Sequence, residues 1–202
     1  MESLTLTVSP DDAGPVTLDQ FKAQARIDAT DQDAYLTALL KAATTYLDGK
    51  TGVLGRSLMT QTWVWRLDCW PHGGCFHVPL PPLQSVTSIT YIDTAGATQT
   101  WASSNYQVDA YSTPGRIELA SNATLPSLYG NGKINQVVVT FVAGYGATPQ
   151  SVPAPIRHAI SMLASHWYER RSPMEIMSGQ RIDIPFAVDA LIAPYRVHGF
   201  GR

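Results

Sequence analysis

The chain has 202 residues, 45% of them hydrophobic and only 15% charged, with a formal net charge of −2. That length fits one domain or two small ones, and such a chain buries roughly 70% of its unfolded surface on folding, enough for a core without metal or disulfide support. No cluster of Lys and Arg is present to drive counterion release, which argues against a dedicated DNA-binding protein, and no apolar run approaches the roughly 20 residues of a membrane span.

Residues 1–8 alternate polar and apolar side chains and lack a basic region followed by a long apolar stretch, so they do not read as a signal peptide. The expectation is synthesis and folding in a cytosol, with Cys69 and Cys75 reduced. Thr17 and Gln20 have the spacing of a capping box, in which each side chain satisfies a free backbone N–H of the other. Leu18, Phe21 and Ala25 then make one apolar stripe. The pattern resets near residues 29–33, where Asp31 or Asp33 is available as a second N-cap. Leu36, Leu39, Leu40, Ala43 and Leu47 recur at three- and four-residue steps, the period of an amphipathic helix. Gly49 and Gly52 can end it.

From about residue 58 the period becomes two. Gln61, Trp63, Trp65, Leu67 and Cys69 alternate with Thr62, Val64, Arg66, Asp68 and Trp70, as in a strand. Pro71, Gly73 and Gly74 predict a turn, with residues 76–80 returning as its partner strand. Residues 86–92 and 98–101 read as a hairpin around the turn at 93–96. Residues 106–108, 116–119 and 136–143 bring the total to about seven short strands, the density expected of a small antiparallel sandwich or barrel. Helix returns after Pro153, with Pro155 suited to a first turn. Ile156, Ala159, Ile160, Leu163, Ala164 and Trp167 form its apolar face, Arg170 and Arg171 lie at its C-terminal end, and Pro173 stops it. The remaining stretch holds one short apolar pattern, Phe186, Val188, Leu191 and Ile192.

The densest candidate for chemistry is Cys69, His72, Cys75 and His77, a C-x2-H-x2-C-x-H spacing of possible zinc ligands. It is tighter than usual zinc motifs and straddles a predicted turn, so strand cysteines and exposed loop histidines are the expectation, with no metal and no cofactor. Trp63, Trp65, Trp70 and Trp101 could form a sugar platform, but aromatic residues are equally normal in small β cores. His158 and His166 lie about two turns apart on one helix, and Asp28, Asp31 and Asp33 fit helix capping better than metal binding. No nucleophile elbow, phosphate-binding glycine loop or H-E-x-x-H motif occurs. The expectation is not an enzyme.

In order along the chain, "DQDAYLTALLKAATTYLDGKTG", "PLPPLQSVTSITYID", "NYQVD", "PGRIEL", "VVVTFVAGYG", "VPAPIRHAISMLASHWYERR" and "IPFAVDALIAPYR" resemble the head–tail connector (adaptor) proteins of tailed bacteriophages and prophages. Each motif alone is ordinary helix or strand, and their order and spacing carry the resemblance across nearly the whole chain. It implies a virion protein made in the host bacterial cytoplasm: one subunit of a dodecameric ring below the portal, monomeric in isolation until it meets its template. Such a ring extends the DNA channel, touches passing DNA passively and offers the tail a point of attachment. The implied partners are the portal, a tail-side completion or terminator protein and other copies of the chain, with no membrane. In this reading the C-terminal segment docks on the portal through Ile184, Pro185, Leu191, Tyr195, Arg196 and Phe200. The alternatives are another virion component, such as a tail terminator or baseplate part, and a metal- or carbohydrate-binding enzyme.

The expected fold is therefore α+β. A helical hairpin at 15–56 and a long helix at 149–173 form a bundle, with an antiparallel β sandwich or barrel inserted at 57–148. Residues 174–202 form a C-terminal arm, expected to be loosely held because the third helix would already close the bundle.

Overall fold

A computed structural model of the chain describes residues 2–10, 14–130, 133–170 and 186–197. It is a mixed α/β protein with two antiparallel sheets and four α-helices among these residues. The chain divides into two units, a β unit of residues 1–10 with 60–145 and a helical unit of 11–59 with 146–202.

In the β unit a five-stranded sheet has the order β1 (Glu2–Val8), β2 (Gln61–Leu67), β8 (Val137–Ala143), β4 (Leu83–Ile92) and β5 (Thr98–Trp101). The second sheet orders β3 (Cys75–His77), β7 (Arg116–Leu119) and β6 (Tyr106–Asp109). All the pairings are antiparallel. The central strand β8 shows why the pattern folds this way. Val137, Val139, Phe141 and Ala143 are fully buried, with Val138, Thr140 and Val142 between them only half-buried, the period of a pleated strand. In register beside them stand Leu67, Trp65, Trp63 and Gln61 of β2. On the other side Phe141 and Val139 meet Val86 and Ile89 of β4. Phe76 and Ile117, paired across β3 and β7, join the same apolar cluster, so both sheets share one core.

The hairpin expected between residues 61–70 and 76–80 does not form. Both edges of β2 are taken, one by β1 and the other by β8, which leaves β3 no place beside it. After Pro71 a 3-10 turn with Gly73 and Gly74 at φ +84° and +73° leads into β3, which pairs with β7 instead. The hairpin of β4 and β5 forms as its sequence predicts, pairing Ile92 with Thr98 through Ile89 with Trp101.

Two polar turns close this unit. The Asp93 carboxylate accepts hydrogen bonds from the Ala95 and Ala97 N–H groups and from the Gln99 side chain, each at 2.9 Å. The Gln99 amide, then the Ala97 N–H, hold this carboxyl below the usual carboxylate range. Asp109 does the same at the next turn, with the Tyr111 and Ser112 N–H groups as the main causes and Arg116 at 3.1 Å as a further partner. A folded-state pKa below the unfolded one stabilises the fold at pH values above about 3.9, and the contribution disappears as pH falls through the folded value. The Asp93→Ala and Asp109→Ala variants should therefore melt below the parent at neutral pH, with the gap narrowing as pH falls further below about 4. Melting curves across pH test this; a gap unchanged at low pH would remove the carboxylates from the account.

In the helical unit, α1 (Leu18–Ala25) opens on the expected capping box. The Gln20 N–H donates to Thr17 Oγ1, and the Thr17 N–H to Gln20 Oε1. Helix α2 (Asp33–Leu47) buries Leu36, Leu40, Ala43 and Leu47 at the expected spacing. Its N-cap is Gln32 rather than Asp31 or Asp33. Asp33 is the first helical residue and its carboxylate is drawn instead to Lys22 Nζ at 2.6 Å, while Gln32 Oε1 accepts from the Tyr168 hydroxyl at 3.2 Å. Helix α3 (Ala154–Glu169) buries Ile156, Ala159, Ile160, Leu163 and Ala164 and packs on α2 and on α4 (Phe186–Ile192).

Candidate interaction surface and the C-terminal segment

A helix of seven residues with no core partner would have little reason to hold its shape, because short isolated helices are marginal in water. Helix α4 has a partner. Val188 and Ile192, four residues apart on one face, are both fully buried. A 3-10 turn (Ala193–Tyr195) follows and is tied down through its backbone. The Tyr195 carbonyl accepts from Arg56 Nε at 2.7 Å, and the Val197 N–H donates to the Leu54 carbonyl at 3.0 Å. Asp189 and Arg196 pair at 2.6 Å between the helix and the segment after it.

The receiving side is the loop after α2. The Gly49 N–H reaches the Arg56 carbonyl, the Val53 and Leu54 N–H groups return to Tyr46 and Leu47, and the Leu58 N–H is held by the Asp48 carboxylate at 2.8 Å. Leu54 and Leu58 are fully buried. This loop presents a carbonyl and a guanidinium to the last described residues of the chain.

The expectation of an arm without a core partner is thus corrected for residues 186–197. Helix α3 packs on both α2 and α4, so α1, α2 and α3 alone do not complete the helical unit. Of the residues singled out for partner contact, Leu191, Tyr195 and Arg196 come together here, all half-buried. Ile184, Pro185 and Phe200 lie outside the described residues. The feature that sequence reading missed is Phe186, 88% exposed at the start of α4 while Val188 and Ile192 turn inward. Its signal was present: it is out of phase with the four-residue step that the buried pair follows.

The other candidates disperse. Cys69, His72 and His77 are exposed and Cys75 half-buried, and among the described residues no three of His, Cys, Asp and Glu gather as metal ligands. Trp63, Trp65 and Trp101 are core residues, and Trp70 packs on Tyr91 and Trp101 while donating its indole N–H to the Pro126 carbonyl. A row of tryptophans open to a sugar is therefore not what they form. His158 is exposed and His166 half-buried on α3. No helix among the described residues is long and apolar enough to cross a membrane.

The model of the head completion protein family matches residues 16–196, which spans both units. The chain belongs to the head completion protein family. Among solved structures it is similar to a chain in the neck of an empty gene transfer agent particle computed with sixfold symmetry, at 26% identity and a TM-score of 0.78, covering 99% of this chain and 98% of that one. A chain of the native gene transfer agent virion matches at 24% identity and a TM-score of 0.76, covering 98% of each chain. One from the native particle's neck, computed with twelvefold symmetry, matches at 24% and 0.72 over 99% of this chain and 98% of that one. No curated protein matches. This head completion protein is accordingly a structural head–tail connector.

Proposed function

We propose that the protein is one subunit of a ring at the joint between head and tail, set between the portal and the tail-side completion protein, where it extends the DNA channel. The observation that carries this is the full-length likeness to chains of particle necks resolved with sixfold and twelvefold symmetry. In this reading the helical unit forms a bundle, the β unit is a two-sheet sandwich built from β1 and the stretch 60–145 inserted between the helical segments, and neither performs chemistry. The net charge of −2 suits a conduit that lets DNA pass without holding it.

The portal-facing surface is assigned to the C-terminal segment, with Phe186, Leu191, Tyr195 and Arg196 at its described end and Ile184, Pro185 and Phe200 continuing it. Phe186 supports this assignment, because a large aromatic side chain left 88% in water on a tethered helix is a natural anchor for a second protein. Electron microscopy of the protein mixed with portal is the test, with a ring seated under the portal as the expected result. Free portal beside unassembled protein would count against the proposal, and a ring found only on tails would favour a tail terminator. The Phe186→Asp variant should melt within a few degrees of the parent, since an exposed position usually changes stability by no more than about 0.5 kcal/mol. It should nevertheless leave filled heads unjoined to tails, and infectious particles at the parental level would remove Phe186 from the interface.

A further inference from the structure

A ring closed by rotation needs two different, complementary patches on every subunit, one for the neighbour ahead and one for the neighbour behind. The five-stranded sheet of the β unit ends in two such patches. Strands β1 and β5 are its opposite edges, and among the described residues neither has a strand on its outer side. Edge strands normally carry charged side chains or proline that discourage further pairing. After Glu2 at its first position β1 reads Ser-Leu-Thr-Leu-Thr-Val, and the four residues of β5 read Thr-Gln-Thr-Trp, so that one carboxylate is the sole charge on the two strands and neither holds a proline.

The side chains agree. From Ser3 to Val8 only Leu4 is partly covered, while Leu6 is 39% and Val8 57% exposed. An alternating, β-branched segment held on one side by β2 and open on the other is a template for strand addition. On β5, Thr98, Gln99 and Thr100 are exposed, and Trp101 alone enters the core.

We infer that the outer edge of β1 in one copy pairs with the outer edge of β5 in the next, so that the five-stranded sheets continue from subunit to subunit. The inference rests on the ring reading above and names the surfaces that would join it. The main-chain ladder sets the register between neighbours. Leu6 and Val8 supply the apolar part of the contact, and other surfaces are free to add area.

Cross-linking in assembled particles tests this. Cys69→Ser and Cys75→Ser remove the native thiols, and single cysteines are then placed in pairs, one at Leu6, Thr7 or Val8 and the other at Thr98, Gln99 or Thr100. Four strand-to-strand steps separate the two edges within one sheet, on the order of 20 Å, so a disulfide between them must join different copies. Under oxidation at least one pairing is expected to give a ladder of multimers, while each single-cysteine control stays monomeric. Electron microscopy of the same particles reports whether the chain forms a ring at the neck. A ring without cross-links in any pairing overturns the edge inference and leaves the ring reading standing, whereas the absence of a ring overturns the reading and the inference together.

If the cysteine variants do not assemble, charge variants in the native background decide. Leu6→Lys combined with Thr100→Lys should fold with a near-parental melting temperature yet lower the yield of joined particles about tenfold or more, through like charges across the junction. Leu6→Lys with Thr100→Glu should restore the yield. Parental yield from the double-lysine variant would overturn the inference.

Discussion

Replacing Ile192 by Ala is expected to destabilise the helical unit by about 3 kcal/mol, and removing everything from Phe186 onward by more. Ile192 is fully buried, as is Val188 one turn before it, and both belong to a unit whose buried apolar side chains include those of α1, α2, α3 and the loop after α2. The Ala substitution forfeits the transfer energy of the lost methyl groups and leaves a cavity that surrounding helices only partly fill. Truncation strips both side chains and also leaves the Arg56 guanidinium without the Tyr195 carbonyl and the Leu54 carbonyl without the Val197 N–H. A buried donor or acceptor stripped of its partner costs about 1–3 kcal/mol. Against a total stability of about 5–15 kcal/mol, the truncated chain should lose the cooperative melting of this unit. Denaturant titration followed by tryptophan fluorescence and helical circular dichroism measures both variants. A truncation that melts within a few degrees of the parent would return α4 to the status of a loose arm.

The sequence alone favours that loose arm, and the reason it misleads is instructive. A stretch with apolar residues at 186, 188, 191 and 192 is too short to declare a face, since the period of a helix needs two or more turns to separate from noise. Nothing local says that α3 has apolar surface left over once α2 is seated. The same limit explains β3. Its three residues carry no preference between β2 and β7, and what decides is that β1, nearly sixty residues earlier in the chain, already occupies the free edge of β2. The alternation of residues 2–8 was visible, but a strand declares only its two faces and not its neighbour. What could be read was local or redundant. The capping box follows from the chemistry of two residues, Thr17 and Gln20, and the β4–β5 hairpin from a polar turn between two alternating runs. The exposed edges of β1 and β5 were not legible, because exposure of an edge is a property of what fails to pair, which no local pattern records.

Gly52→Ala should be the most damaging single-methyl addition in the helical unit, lowering stability by about 3 kcal/mol or more. A Cβ at this position would collide with the Asp48 carbonyl oxygen and stand 2.5 Å from both the carbonyl carbon and oxygen of Leu47. These are backbone atoms at the end of α2, so no side-chain rotation relieves the clash and the loop itself must move. That loop carries the Leu54 carbonyl and Arg56, the two groups that hold the segment after α4. Displacing it should weaken the grip on residues 193–197 before the whole unit melts. Limited proteolysis should accordingly cut the variant near α4 at protease levels that leave the parent intact. Gly55→Ala is the control in the same loop. It has φ +63° and its nearest neighbour, Val197, is at an ordinary 3.7 Å, so it should lose only the roughly 1–2 kcal/mol of a left-handed alanine. Equal stability of the two variants would mean that the loop accommodates the methyl group, and that the close approach of Gly52 to the end of α2 does not position the C-terminal segment.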